Sequence, residues 1–221
     1  MNIEQARFNM IEQQIRPWNV LDLDVLELLT VVRREDFVPA AYKSLAFSDT
    51  EIPLPGANGE SMLAPKIEAR LLQEAAIKKH EQVLEIGSGS GYMAALLCYK
   101  ARHVTTVEID PELKALAAGN LAAYGITNVD VMQGNGAQGW DLSETKSFDV
   151  IFISGSLSVL PDAFLKQLNV GGRLVAIVGD APVMFAQIIT RTSDTSYSTV
   201  NLFETDVKPL REAAVHSQFK F

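Results

Sequence analysis

Two acids and three glycines carry the chemistry this chain is equipped for: Glu85, Gly87, Gly89 and Gly91 within the run from Val83 to Gly91, and Glu108, 21 positions after Gly87. A short apolar run ending in glycines spaced by two describes a buried strand that turns sharply onto a ligand, because backbone without side chains can approach it closely. Glu108 closes the next apolar run, where a strand-end carboxylate accepts hydrogen bonds from ribose hydroxyls. Together they read as a nucleoside-cofactor site. The same glycines would also serve a plain strand-to-helix turn in an α/β protein of any function.

Such residues must be held by a sheet. From Gln82 onward short β-rich runs alternate with helical ones, which predicts strands at 83–86, 103–108, 128–132, 149–154 and 173–178. Helices are expected over 91–100, 111–124 and 161–168, the second with Asp110 as cap and Pro111 in its first turn. Residues 183–191 and 196–204 read as a closing hairpin with Ser193-Asp194 at its turn. The fold class is therefore α/β: a doubly wound, mostly parallel seven-stranded sheet with an N-terminal helical extension and a C-terminal antiparallel hairpin. Ligands bind such sheets at the carboxyl ends of the strands, where Gly87, Glu108, Asn135 and Ser154 all fall.

Residues 1–80 read as a helical cap and loop, with helical periodicity over 3–15, 21–32 and 66–79, a break at Pro17 and turn formers from Pro53 to Gly59. Residues 81–212 form the cofactor-binding core and 213–221 a tail, although Phe219 and Phe221 could pack on something. With 48% hydrophobic and 21% charged residues the chain buries a substantial core, which excludes long disorder. A net charge of −8 gives no electrostatic footprint for a polyanion, so nucleic acid is not an expected partner. No segment has the length and apolarity of a membrane span, nor does the N-terminus resemble a signal peptide, and the cytoplasm is the expected location. Cys98 reads as a small apolar filler. His80, His103 and His216 lack acids or thiols at ligand spacing, so no metal site is expected.

The glycine pattern decides between cofactors. A dinucleotide fingerprint wants a glycine where Tyr92 stands, whereas glycines at 87, 89 and 91 with Glu85 two residues before them resemble motif I of the class I S-adenosylmethionine-dependent methyltransferases. Further segments resemble the protein-L-isoaspartate O-methyltransferases over roughly residues 8–212: Met10 to Arg16, Arg33 to Pro39, Phe148 to Ile153, and Gly171 to Val175 before Val178-Gly179. The resemblance implies a Rossmann-like methyltransferase fold, S-adenosyl-L-methionine as cofactor with S-adenosyl-L-homocysteine as product, and repair of aged proteins by methyl-ester formation on an isoaspartyl carboxylate. A peptide or protein bearing that linkage is the implied partner.

The resemblance also implies roles for residues. Gly87, Ser88, Gly89 and Gly91 would lie along the methionine portion of the cofactor and Glu85 would orient its amino acid end. Glu108 with Ile109 would hold the ribose, Asn135 with Gly136 the adenine, and Ser154 and the Glu60-Ser61-Met62 loop would close the pocket. Two positions depart from the family. Leu63 stands where the family has a substrate-positioning serine, which leaves Ser61, at a threonine position, as the candidate catalytic hydroxyl. Asn135 replaces an aspartate and can still accept a hydrogen bond, without charge. Leu63 motivates two alternatives: a methyltransferase with a different acceptor, and a cofactor-binding module without catalysis. A nucleic-acid methyltransferase is disfavoured because Ile153-Ser154-Gly155-Ser156 lacks a Pro-Pro-aromatic motif, and a nicotinamide oxidoreductase is the remaining reading.

Overall fold

The structure is a computed structural model and describes residues 2–56, 58–140 and 147–215. In the front section α1 (Ile3–Met10) is capped by Asn2 and passes into a π turn over Ile11–Ile15, followed by a 3-10 turn at Arg16–Trp18. The helix expected over 3–15 thus changes pitch at Met10, ahead of Pro17, while Ile11 and Ile15 stay buried. Next come α2 (Leu23–Val31), with Asp22 accepting from the amides of Asp24 and Val25, and the short α3 (Arg34–Phe37). The turn-rich region contains a small ribbon, β1 (Ile52–Pro53) antiparallel to β2 (Ser61–Met62), with Ile52 opposite Met62. Two-residue strands give too short a pattern to be read from sequence.

Helix α4 (Pro65–Ala75) is shorter than the expected 66–79 and ends with Ala76 in the left-handed conformation, at φ 45°. Arg173 accounts for that ending. Its guanidinium donates to the carbonyls of Ala75 and Ala76 and to both carboxylate oxygens of Glu81 at 2.7 and 2.8 Å, so a strand residue closes the helix end.

The main sheet comprises β3 (Gln82–Ile86), β4 (His103–Glu108), β5 (Val129–Gln133), β6 (Phe148–Leu157), β7 (Leu168–Asp180), β8 (Val183–Arg191) and β9 (Tyr197–Thr205), in the order β5-β4-β3-β6-β7-β8-β9. The first five pair in parallel and the last two antiparallel, as expected. Helices α5 (Tyr92–Lys100), α6 (Pro111–Ala123) and α7 (Asp162–Lys166) make the crossovers. Strands β6 and β7 run longer than the expected 149–154 and 173–178, and α7 is correspondingly shorter than 161–168.

Side chains alternate across the sheet with period two. Val83, Val150, Phe152 and Val175 face one core, built with Met10, Leu29, Phe37, Leu71 and Leu96 from the helices. Leu84, Ile86, Ile151, Ile153 and Leu174 face the other, with Phe164. The front helices share a core with the sheet. Of the expected tail, residues 216–221, including Phe219 and Phe221, lie outside the described residues.

After β3 the chain builds outward through β4 to β5, then crosses back to lay β6 on the other side of β3. That reversal opens a crevice at the carboxyl ends of β3 and β6.

Candidate active site

At the end of β3 the chain turns away from β6, and Gly87 makes the turn at φ 93°. A Cβ there would stand 3.1 Å from the Ser154 carbonyl oxygen and 3.2 Å from Leu210, so both conformation and space require glycine. Gly91, at φ 83°, opens α5 with its α-carbon against the backbone of Ala117 in α6. Between them the Gly89 amide donates to Glu108 Oε2 at 2.9 Å, and the Asp110 amide donates to Glu108 Oε1 at 3.1 Å. The Glu108 carboxylate is thereby fixed at the rim, with lone pairs left for a ligand.

Beneath the loop lies a buried polar chain. Ser154 Oγ donates to Glu85 Oε1 at 2.8 Å and Thr106 Oγ1 to Glu85 Oε2 at 2.6 Å. Ser88 Oγ stands 2.6 Å from Thr106 Oγ1 and extends the chain, with either hydroxyl able to donate. Burial pushes the Glu85 carboxyl up to about 8, against the pull of these two hydroxyls, and Glu108 and Glu68 add repulsion.

A third segment completes the crevice. Once β3 has turned off, the edge of β6 from Ser154 onward has no strand beside it, and residues 207–210 take that place. The Ser156 amide donates to the Lys208 carbonyl at 3.0 Å, the Leu210 amide to the Ser156 carbonyl at 2.9 Å, and Ser156 Oγ to the Val207 carbonyl at 2.6 Å. Leu210 then lies over Gly87 and Gly155; a Cβ on Gly155 would come within 2.7 Å of it. Arg211 reaches across to Asp110 at 2.9 Å and Glu60 at 3.8 Å, and Asn135 Nδ2 donates to Glu212 at 2.7 Å. The crevice so enclosed has a volume of about 720 Å³ including its open mouth, which suits a nucleoside-sized ligand.

A family model for protein-L-isoaspartate(D-aspartate) O-methyltransferases matches residues 5–212. The chain belongs to that family. A protein-L-isoaspartate O-methyltransferase of Koribacter versatilis is 39% identical over 84% of this chain and 81% of its own, and one of Marinobacter nauticus is 36% identical over 95% and 94%. A Plasmodium falciparum protein described as a member of the same enzyme class, solved in complex with S-adenosyl-L-homocysteine, superposes with a TM-score of 0.78 at 20% identity, covering 96% of this chain and 99% of that one. That likeness shows a shared methyltransferase fold.

Against this background the expected site residues divide into two sets. Glu60, Ser61, Gly87, Gly89, Glu108, Ile109, Asn135, Gly136 and Ser154 all line the crevice. Glu85, Ser88, Gly91 and Met62 do not. Glu85 and Ser88 lie behind the wall in the hydroxyl chain, Gly91 is turned against α6, and Met62 is buried in the core. Met62 and Ser88 instead border a smaller chamber beside the crevice, onto which Ser61 also opens. Asn135 is also more committed than expected, since Oδ1 accepts from the Ala137 amide at 2.9 Å while Nδ2 holds Glu212. Ser61 Oγ donates to Glu51 Oε2 at 2.8 Å.

Sequence reasoning missed Leu54, Ile86 and Val107, which supply apolar wall, and the whole strap from Val207 to Arg211. The strap has no periodicity to detect; Pro209 so soon after the last strand is its only sign. A smaller second chamber of about 300 Å³ opens off the crevice, sharing Leu54, Ser61, Leu63, Gly87, Gly89 and Ser154 with it and reaching Glu68 and Tyr92. Among the described residues no cluster of three His, Cys, Asp or Glu side chains could hold a metal ion.

Proposed function

We propose that this chain transfers a methyl group from S-adenosyl-L-methionine to the free carboxylate of an isoaspartyl residue in a peptide or protein, forming a methyl ester. The family match over residues 5–212 carries the reading, and the crevice supports it with a glycine turn fitted against Ser154 and a strand-end carboxylate at Glu108. The cofactor supplies an activated methyl on a sulfonium. A carboxylate oxygen is already ionised near pH 7, so the protein has no general base to provide.

What the chain provides is position. Gly87 and Gly89 offer bare backbone, Glu108 is held by two amides to receive hydroxyls, and Asn135 with Gly136 lines the far end for the adenine. Holding the oxygen in line with the methyl at near-attack distance contributes roughly 7–11 kcal/mol to the rate, the scale of well-oriented intramolecular reactions. Ser61, which lines both cavities, is the hydroxyl we assign to the acceptor side, where it would turn its proton from Glu51 to the acceptor carboxylate, while Leu63 gives that wall an apolar face. Ser61 is thus assigned as the catalytic residue. A cytoplasmic location belongs to the same reading, and among the described residues no helix is long and apolar enough to cross a membrane.

The test is incorporation of labelled methyl into an isoaspartyl peptide and its normal aspartyl twin. Base-labile label in the first alone is the expected result. Equal labelling, or none with the cofactor demonstrably bound, would refute the acceptor assignment.

A further inference from the structure

Arg211 and Glu60 meet at the crevice without completing a hydrogen bond. Arg211 Nε stands 3.8 Å from Glu60 Oε1, beyond hydrogen-bonding range, while its Nη1 donates to Asp110 Oδ2 at 2.9 Å. Both carboxylate oxygens of Glu60 are buried and have no hydrogen-bond partner among the described residues. The parallel N–H groups of Arg211 Nε and Nη2 make no hydrogen bond among the described residues either.

Native proteins seldom leave buried polar atoms unpaired, and two open capacities of opposite kind side by side describe a ligand that carries an acceptor and a donor close together. Charge points the same way. Among the described residues the cations lining the crevice are Lys208 and Arg211, and Lys208 is turned to the Asn58 carbonyl. Glu108 is held by two amides, and Leu63 brings no hydroxyl to the acceptor side. Arg211 is therefore the lining group with charge to offer an anionic acceptor, and its Nε–Nη2 edge has the fork geometry that takes a carboxylate through two parallel bonds.

We propose that Arg211 and Glu60 are the specificity-determining pair for the acceptor: Arg211 takes the carboxylate that is methylated, and Glu60 accepts the amide N–H carried on the same carbon atom. The inference rests on the reading of the acceptor as an isoaspartyl residue, whose α-carbon bears both groups. In a normal aspartyl residue the free carboxylate lies one carbon further from the N–H, so a pair held this close together reads the linkage itself. Ser61 follows Glu60 directly and lines the same crevice, which brings its hydroxyl to the same carboxylate. The acceptor thus fills the gap that Arg211 and Glu60 leave between them, and each finds the partner it lacks.

Methyl-transfer kinetics on two peptides test the proposal: an isoaspartyl peptide, and its depsipeptide twin in which an ester oxygen replaces the isoaspartyl nitrogen and removes the N–H. Wild type should favour the amide in kcat/KM by roughly tenfold to a hundredfold, the scale of a hydrogen bond to a charged group. Glu60→Met should treat the two peptides alike, and Glu60→Gln, whose amide oxygen still accepts, should keep part of the preference. Arg211→Gln should raise the KM of both peptides roughly tenfold or more, and Arg211→Lys should recover only part of that, having no fork. Titration of each variant with S-adenosyl-L-homocysteine serves as the control for an intact crevice, with affinity falling by about fivefold at most. If the Glu60 variants keep the full preference, or Arg211→Gln keeps the wild-type KM, the pair does not read the acceptor and the proposal falls. If wild type binds S-adenosyl-L-homocysteine yet methylates neither peptide, the isoaspartyl reading itself fails and takes this inference with it.

Discussion

Arg211 Nη1 lies 2.9 Å from Asp110 Oδ2, joining the strap after the last strand to the cap of α6 across the mouth of the crevice. The same guanidinium approaches Glu60 Nε-first at 3.8 Å, so one side chain ties three segments that are remote in sequence. Asp110 is held low as a carboxylate by the Glu112 and Leu113 amides and by Arg211, which outweigh what burial costs it. The strap therefore closes on an ionised partner near neutral pH.

Arg211→Ala should loosen that closure without unfolding the sheet. The pair is partly exposed and so worth at most about 1 kcal/mol, which predicts a threefold to fivefold loss in S-adenosyl-L-homocysteine affinity, roughly. Titration calorimetry at low and high salt checks it; in salt the difference between wild type and variant should shrink.

Gly87→Ala is the most damaging single change expected in the loop. It sets a Cβ 3.1 Å from the Ser154 carbonyl and forces a left-handed conformation that costs an L-residue about 1–2 kcal/mol. Denaturant melts should show that loss, and cofactor binding should fall more than stability does. Unchanged binding would mean that the ligand does not use this turn.

Stability should depend on pH through Glu85. Its folded carboxyl sits near 8, above the unfolded value of about 4.5, so the native state binds the extra proton. The stabilisation is complete below the unfolded value and is lost as pH rises through the folded one. Thermal melts of ligand-free protein should therefore fall between pH 5 and 8.5 more steeply for wild type than for Glu85→Gln. Parallel slopes would remove Glu85 as the cause.

Arg34→Met should destabilise the fold by about 3–5 kcal/mol, the cost of leaving Glu68 buried without its cation and the Leu63 carbonyl without its donor. Arg34→Lys should recover only part of this, since an ammonium cannot reproduce the fork that meets Leu63, Ala46 and Glu68 together. Urea unfolding distinguishes the two variants.

Cys98 should resist thiol reagents in the native state. Burial pushes its thiol up to about 12, and only unfolding should expose it to modification at neutral pH.

What the residues announce and what they conceal follow one physical division. Local rules made the sheet legible: the apolar runs of β3 and β4, Asp110 with Pro111 opening α6, and glycines where the backbone turns positive in φ are each decided within a few residues. Glu108 and Ser154 reach the crevice because strand ends are a property of strands. Glu85 was visible as an acid, while its place in the layer beneath the loop shows only in the face it shares with Val83 and in its bonds to Thr106 and Ser154. The strap and the chamber were illegible because Leu210 meets Gly87, and Arg34 meets Glu68, by tertiary packing alone.

The Lys208 side chain touches the Asn58 carbonyl, a contact between residues 150 apart. A nascent chain that has emerged only as far as β7 already owns its glycine turn and both acids, yet has no roof for them. The crevice thus stays open on one side until residues 207–211 have been made, and a polypeptide stalled before them would carry the signature of the enzyme without its grip.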